Sequence, residues 1–173
     1  MRRPALLLAA LATGGMVTIA AAAPPKPRKD MNKETVAAAK ALIARIAGAK
    51  TLTRAELERS TGLKLTPAPD DPHESHGTFK DGPFSEIEVR EPGPEQKPPS
   101  WLVNLDVRDD AALPLSAFQG DPLGKDPPVW VQPRVPPEGT TTYAVKDANQ
   151  SIYFAFRSQS ENLQGVSFHR PAD

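Results

Sequence analysis

The stretch Ser151–Arg170, "SIYFAFRSQSENLQGVSFHR", decides the fold. Ile152, Phe154 and Phe156 alternate with Tyr153, Ala155 and Arg157, which is the period-two pattern of a strand with one dry face. "QSEN", Gln159–Asn162, is a polar turn, and Leu163–His169 is the returning strand. Leu163 and Val166 differ in parity, so a bulge at Gly165 is needed to keep both on the dry face with Phe168. Such a hairpin needs other elements to cover its apolar side. Its other side presents Tyr153, Ala155, Arg157, Ser167 and His169.

Working outward, three further segments read as strands, and the last two of them alternate in the same way. "TTYAVK", Thr141–Lys146, precedes the hairpin across the turn "DANQ". "FSEIEVR" places Ile87 and Val89 against Glu86, Glu88 and Arg90. "WLVNLDVR" places Trp101, Val103, Leu105 and Val107 against Asn104, Asp106 and Arg108. The link between these two, "EPGPEQKPPS", is long and polar and is expected to project. Fifteen of the 20 prolines lie between Thr66 and Pro137. Proline lacks an N–H and resists helix interiors and central strands, so this region reads as loops and short strands.

Two helices come first. Val36, Ala39, Leu42, Ile43 and Ile46 form an apolar stripe over Asn32–Ala47, and Gly48 stops the helix. The second helix is written at both ends. Thr53 and Glu56 fit a capping box, Leu52 and Leu57 fit the hydrophobic staple, and Gly62 with Leu63 fits the C-terminal cap. The expected fold is α+β, with two N-terminal helices packed on one face of a five-strand antiparallel sheet.

The N-terminus reads as an export signal. Met1-Arg2-Arg3 is basic, Ala5–Ala23 is a short apolar run centred on Leu6, Leu7, Leu8 and Leu11, and Ala20–Ala23 supply small residues for cleavage, placed here after Ala22. An uncleaved N-terminal anchor is the alternative reading. The expected organisation is a signal peptide over 1–22, a proline-rich basic leader over 23–30 and one domain over 31–173. There is no cysteine, which excludes a lipoprotein anchor, disulfides and thiolate metal sites. Removing 22 of 173 residues leaves 151, and removing Arg2 and Arg3 leaves 19 basic against 21 acidic residues. That balance gives no electrostatic reason for nucleic acid or an anionic membrane as partner. The expected location is periplasmic or extracellular, with no membrane anchor once the signal is cut.

Few residues carry recognisable chemistry. "DDPHESH", Asp70–His76, is the densest cluster of metal-ligand types, with His73, His76, Asp70 and Asp71 as the candidates. Its histidines are three apart, Pro72 and Gly77 suggest a loop, and a polar loop without metal is preferred over a site. Glu86 and Glu88 could pose as a carboxylate pair for glycoside cleavage, but beside Arg90 they read as a surface ion-pair group. Nucleophile elbows, Ser-x-x-Lys and glycine-rich phosphate loops are missing, so no catalytic residue and no cofactor is assigned. The candidates for partner binding are Tyr153, Arg157 and His169 on the open sheet face. Trp130 and Arg134 in the proline loop "PPVWVQPRVPP" join them. A plain solvated sheet surface is the competing reading of that face.

"LTRAELERSTGLKL", Leu52–Leu65, followed by a polar antiparallel sheet, resembles the SmpA/OmlA and β-lactamase-inhibitor-protein type of envelope domain. There a Thr-x-x-Glu-Leu helix opening and a Gly-Leu helix end precede a meander, as Thr53–Leu63 do here. The chain departs from those families in lacking their cysteines and in its long proline loops. The resemblance implies protein binding through the sheet face or loops, without catalysis. The function expected first is thus an exported, non-catalytic module binding another envelope or extracellular protein, of inhibitor or immunity type. An envelope structural or small-ligand-binding protein comes second, and a metalloprotein or hydrolase using the Asp70–His76 loop comes third.

Overall fold

The computed structural model describes residues 29–124, 128–132, 139–146 and 149–172. Its described side chains are those of 33–124, 128–129, 139–146 and 149–172. The expected signal peptide, leader residues 23–28, Arg134 and the side chain of Trp130 lie outside them.

Helix α1 spans Lys29–Ala47 and so begins three residues earlier than expected, inside the leader. Helix α2 spans Arg54–Thr61. Thr53 caps it by accepting the Glu56 N–H at 3.4 Å, and Gly62 ends it with φ 74°, a left-handed conformation that glycine adopts without penalty. Only half of the capping box forms, because the Glu56 carboxylate turns to Arg59 at 2.6 Å. Leu52 and Leu57, the staple pair, are fully buried.

The sheet has eight strands among the described residues, not five. They are β1 (Thr66–Pro67), β2 (Glu74–Thr78), β3 (Phe84–Arg90), β4 (Ser100–Val107), β5 (Val129–Gln132), β6 (Thr140–Lys146), β7 (Ser151–Arg157) and β8 (Leu163–Pro171). Their order is β1-β2-β3-β4-β8-β7-β6-β5, and every pairing is antiparallel. The α+β class stands; the strand count is corrected because β1, β2 and β5 lack the expected pattern. In β2, "ESHGT", the core-facing positions are Ser75 and Gly77 rather than large apolar residues. A Cβ at Gly77 would stand 2.6 Å from a Leu65 methyl, so the strand is small where the segment after α2 crosses it. β5 lies among prolines, and β1 ends in Pro67; both are edge strands, where proline is tolerated.

The core lies on one face. Ile87 and Val89 of β3, Val103 and Leu105 of β4, Ile152, Phe154 and Phe156 of β7, and Leu163, Val166 and Phe168 of β8 are all buried there. The register of β7 on β8 shifts between Ala155 and Phe156, which leaves Gln164 extra beside Gly165 and keeps Leu163 and Val166 on one side. Ala39, Ile43 and Ile46 of α1 and Leu57 of α2 cover part of this face. The chain between β4 and β5 covers the rest, which the two-helix expectation omitted. It buries Leu113, Leu115, Phe118 and Leu123 and bonds to the β7–β8 turn through Leu115 N–H to Glu161 O at 2.8 Å and Leu163 N–H to Leu113 O at 2.9 Å. The Phe118 ring lies 6.0 Å from Phe154 and 5.9 Å from Phe156, with Lys40 Nζ 5.8 Å from its centre on the helix side.

Arg170 ties the helix layer to the sheet. Its guanidinium donates to the carbonyls of Ala47, Ala49 and Lys50 at 2.7–3.2 Å, and to Gln150 Oε1 at 2.7 Å. The Ala47 carbonyl is the last of α1 and those of Ala49 and Lys50 follow it, so a cation from β8 is well placed at this helix end.

Phe118→Ala is expected to cost about 3–5 kcal/mol of stability, the range for emptying an aromatic site in a core. Urea denaturation followed by tryptophan fluorescence measures it. A cost below about 1 kcal/mol would mean that the crossover is not part of the core.

Candidate functional site

The second face of the sheet carries no helix and no crossover among the described residues. Alternation puts Glu74, His76 and Thr78 of β2 there, and Glu86, Glu88 and Arg90 of β3. The cross-strand register then fixes the neighbours. Glu86 faces Asp106, Glu88 faces Asn104, and Arg90 faces Leu102. Beyond β4, Leu102 faces His169, Asn104 faces Ser167 and Asp106 faces Gly165. Beyond β8, Ser151, Tyr153 and Ala155 face His169, Ser167 and Gly165. The face is therefore carboxylate-rich over β2–β4 and made of small residues around Tyr153 over β8–β6.

The carboxylate-rich half is a connected network. His76 Nε2 lies 2.8 Å from Glu74 Oε1, and His76 Nδ1 lies 3.4 Å from Glu86 Oε1. Arg90 bridges Glu74 and, at 3.6 Å, Glu88. Asn104 Nδ2 donates to Glu88 Oε2 at 3.4 Å. The hydrogen bonds from Arg90 and then from His76 hold the Glu74 carboxyl below the usual carboxylate range, and Glu74 in turn pushes Arg90 up. Asp106 is the exception. Partial burial, and then the charge of Glu86 beside it, push its carboxyl up, and no cation pairs with it among the described residues.

Where this half ends, a cleft of about 660 Å³ opens between the turn after β4 and the start of β8. Asp106, Arg108, Asp109, Arg157, Asn162 and Gln164 are among its walls. Arg108, expected on the open face, follows β4 and turns its guanidinium to the Phe79 carbonyl.

The structure disperses the candidates read from sequence. Tyr153 and His169 share the open face, with Ser167 and Ser151 between them in the ladder. Arg157 stands four residues beyond Tyr153, on the order of 13 Å along the strand, and pairs with Asp109 at 3.3 Å. The Trp130 backbone pairs with Thr142 in β5, so that residue sits in a strand rather than a loop. The Asp70–His76 cluster divides, because Glu74–Thr78 is strand rather than loop. The His73 N–H bonds Asp71 Oδ1 at 2.8 Å in a local turn, and its ring lies against Gly93, while His76 goes to the open face. Among the described residues no three histidines or carboxylates are grouped to hold a metal ion. The "EPGPEQKPPS" link is tied down rather than projecting freely. Its Glu91 Oε1 accepts the Arg54 N–H at 2.9 Å, and Gln96 bonds the buried Ser100 at 2.8 Å. Sequence reading missed the Glu86–Asp106 pair and the cleft, since both follow from register and turn packing. The matched ends of "FSEIEVR" and "WLVNLDVR" were the signal that could have given the pair.

No family model, no curated protein and no solved structure matches the chain. Nothing in these comparisons bears on the resemblance to envelope domains, which rests on Thr53–Leu63 and on the order of elements.

The raised carboxyl of Asp106 has a stability consequence with a definite sign. The folded chain holds that proton more tightly than the unfolded chain, so the contribution favours folding at acid pH and is lost as pH rises through the folded value. Asp106→Asn should thus be more stable than the parent at pH 7, by a few tenths to about 1 kcal/mol for a partly exposed pair. The gap should close as pH falls through the carboxylate range. Paired denaturation curves at pH 7 and pH 3 check it; a gain that does not change with pH would contradict it.

Proposed function

We propose that the chain is an exported, non-catalytic protein-binding module that docks its partner on the open face of the sheet. The observation that supports this reading is the one-sided cover: α1, α2 and the crossover all serve one face, and the other keeps a half-buried Tyr153 among small neighbours. In the ladder Tyr153 stands between Ser167 and Ala144, with Ala155 and Gly165 one row away. A rigid aromatic on an antiparallel sheet supplies contact area at low entropic cost, which is why tyrosine is common at the centres of interfaces. The envelope or extracellular setting rests on the Met1–Ala23 segment, and the likeness of Thr53–Leu63 to envelope domains points the same way.

A second reading has an observation of its own. The cleft beside Asp106 and Arg157, at about 660 Å³, is within the size range of small-molecule sites, and its polar walls suit a charged ligand. The placing of His73 in a turn and of His76 on a strand gives the metalloprotein reading no supporting observation.

The test is capture of the partner from envelope extract by the mature chain and by Tyr153→Ala and Arg157→Ala, read by mass spectrometry. Both side chains point away from the core, so melting should change by about 1 kcal/mol or less. Loss of a central anchor should weaken capture by about 2 kcal/mol or more. Capture by both variants at the parental level would leave the face a solvated surface.

A further inference from the structure

The charge on the open face is not evenly spread, and its distribution selects a class of partner. This step rests on the docking-face reading above and specifies what docks. Glu74, Glu86, Glu88 and Asp106 stand on the β2–β4 half, against Arg90 as the one fixed cation there among the described residues. Arg90 is engaged by Glu74 and Glu88, and His76 lies between Glu74 and Glu86. What is left over is Asp106; directly opposite it on the neighbouring strand stands Glu86, whose carboxylate His76 Nδ1 approaches to 3.4 Å. Like charges in that position repel, and Asp106 has no cation among the described residues.

The row that contains the pair continues through Gly165, Ala155 and Thr142. Gly165 has no side chain to shield Asp106; a Cβ there would approach the Leu105 carbonyl to 3.1 Å and the Asp106 carboxylate to 3.8 Å. The row is thus a low lane across three strands, about 10 Å from Asp106 to Ala155 at the usual strand spacing, with negative charge at one end. A lysine or arginine stem is an apolar rod with a cationic head, and it lies well along such a lane with its head at the carboxylates. His76 stands 3.4 Å from Glu86, but the described residues hold no group of three histidines or carboxylates placed to bind a metal ion, which favours an organic cation.

We propose that the Glu86–Asp106 pair is the charged anchor of the docking face, and that it accepts a lysine or arginine side chain presented by the partner protein. The mature chain, labelled for NMR, is titrated with a Gly/Ser peptide carrying three arginines and with the same peptide carrying three glutamates. The arginine peptide should shift the amides of Asp106, Gly165 and Ala155 saturably, and the glutamate peptide should not. Glu86→Gln with Asp106→Asn should weaken the arginine peptide by about tenfold or more. Glu34→Gln with Asp81→Asn, the same charge change off this face, should keep its affinity within about twofold. Both double variants should melt no lower than the parent, which separates lost binding from lost folding. Equal loss in the two double variants would reduce the effect to bulk attraction and overturn the proposal. So would shifts mapping elsewhere, or calcium occupying the same amides more tightly than the peptide. If partner capture depends on Tyr153 and Arg157 but not on Glu86 and Asp106, this inference fails and the docking-face reading survives. If capture ignores all four, the docking-face reading itself fails.

Discussion

Ser100–Asp106 of β4 pair residue by residue with Pro171–Gly165 of β8, and this central ladder joins two four-strand meanders into one sheet. The chain leaving β4 must then travel to β5, four strands away, before it can return as β6, β7 and β8. At the usual spacing that is a path of about 19 Å. It crosses on the face already occupied by α1 and α2, burying Leu113, Leu115, Phe118 and Leu123 as it goes. One core then serves the helices, the crossover and all the central strands, in a two-layer arrangement. Among the described residues neither a helix nor the crossover is left for the second face, for the same reason.

Separate faces also separate the chemistry. Only Ser75 and Ser100 are buried polar residues among the described ones, and the ion pairs lie outside the core. Surface pairs of this kind contribute little to stability, so the open face can vary in charge without unfolding the chain. Arg170 is a charged group with a structural task, since its contacts hold the end of α1 against Gln150 and β8.

Local patterns were legible in the sequence and long-range ones were not. The Ser151–Arg170 hairpin, the alternation of β3 and β4, and both ends of α2 follow from periods and caps within about ten residues of each other. β2 was not legible, because its inward positions are Ser75 and Gly77 and their role depends on Leu65 arriving from elsewhere. The core role of Phe118 was hidden for a similar reason: it meets Phe154 and Phe156 only after the sheet has formed. At the candidate site, residue types and faces could be read, since alternation alone sets them. Which carboxylate faces which, and that Asp106 is left beside Glu86, depends on register and could not be read.

The central claim, that all cover goes to one face, can be tested directly because the chain has no cysteine of its own. Single cysteines are placed at Asn104 and Ser167 on the open face and at Ala39 in the core, and their maleimide labelling rates are compared in the native and the unfolded chain. The account predicts that Asn104→Cys and Ser167→Cys label within about tenfold of their unfolded rates. Ala39→Cys should label only through unfolding, slower by orders of magnitude. Protection of the Asn104 and Ser167 positions equal to that of Ala39, in the isolated chain, would show that the second face is covered and would contradict the account.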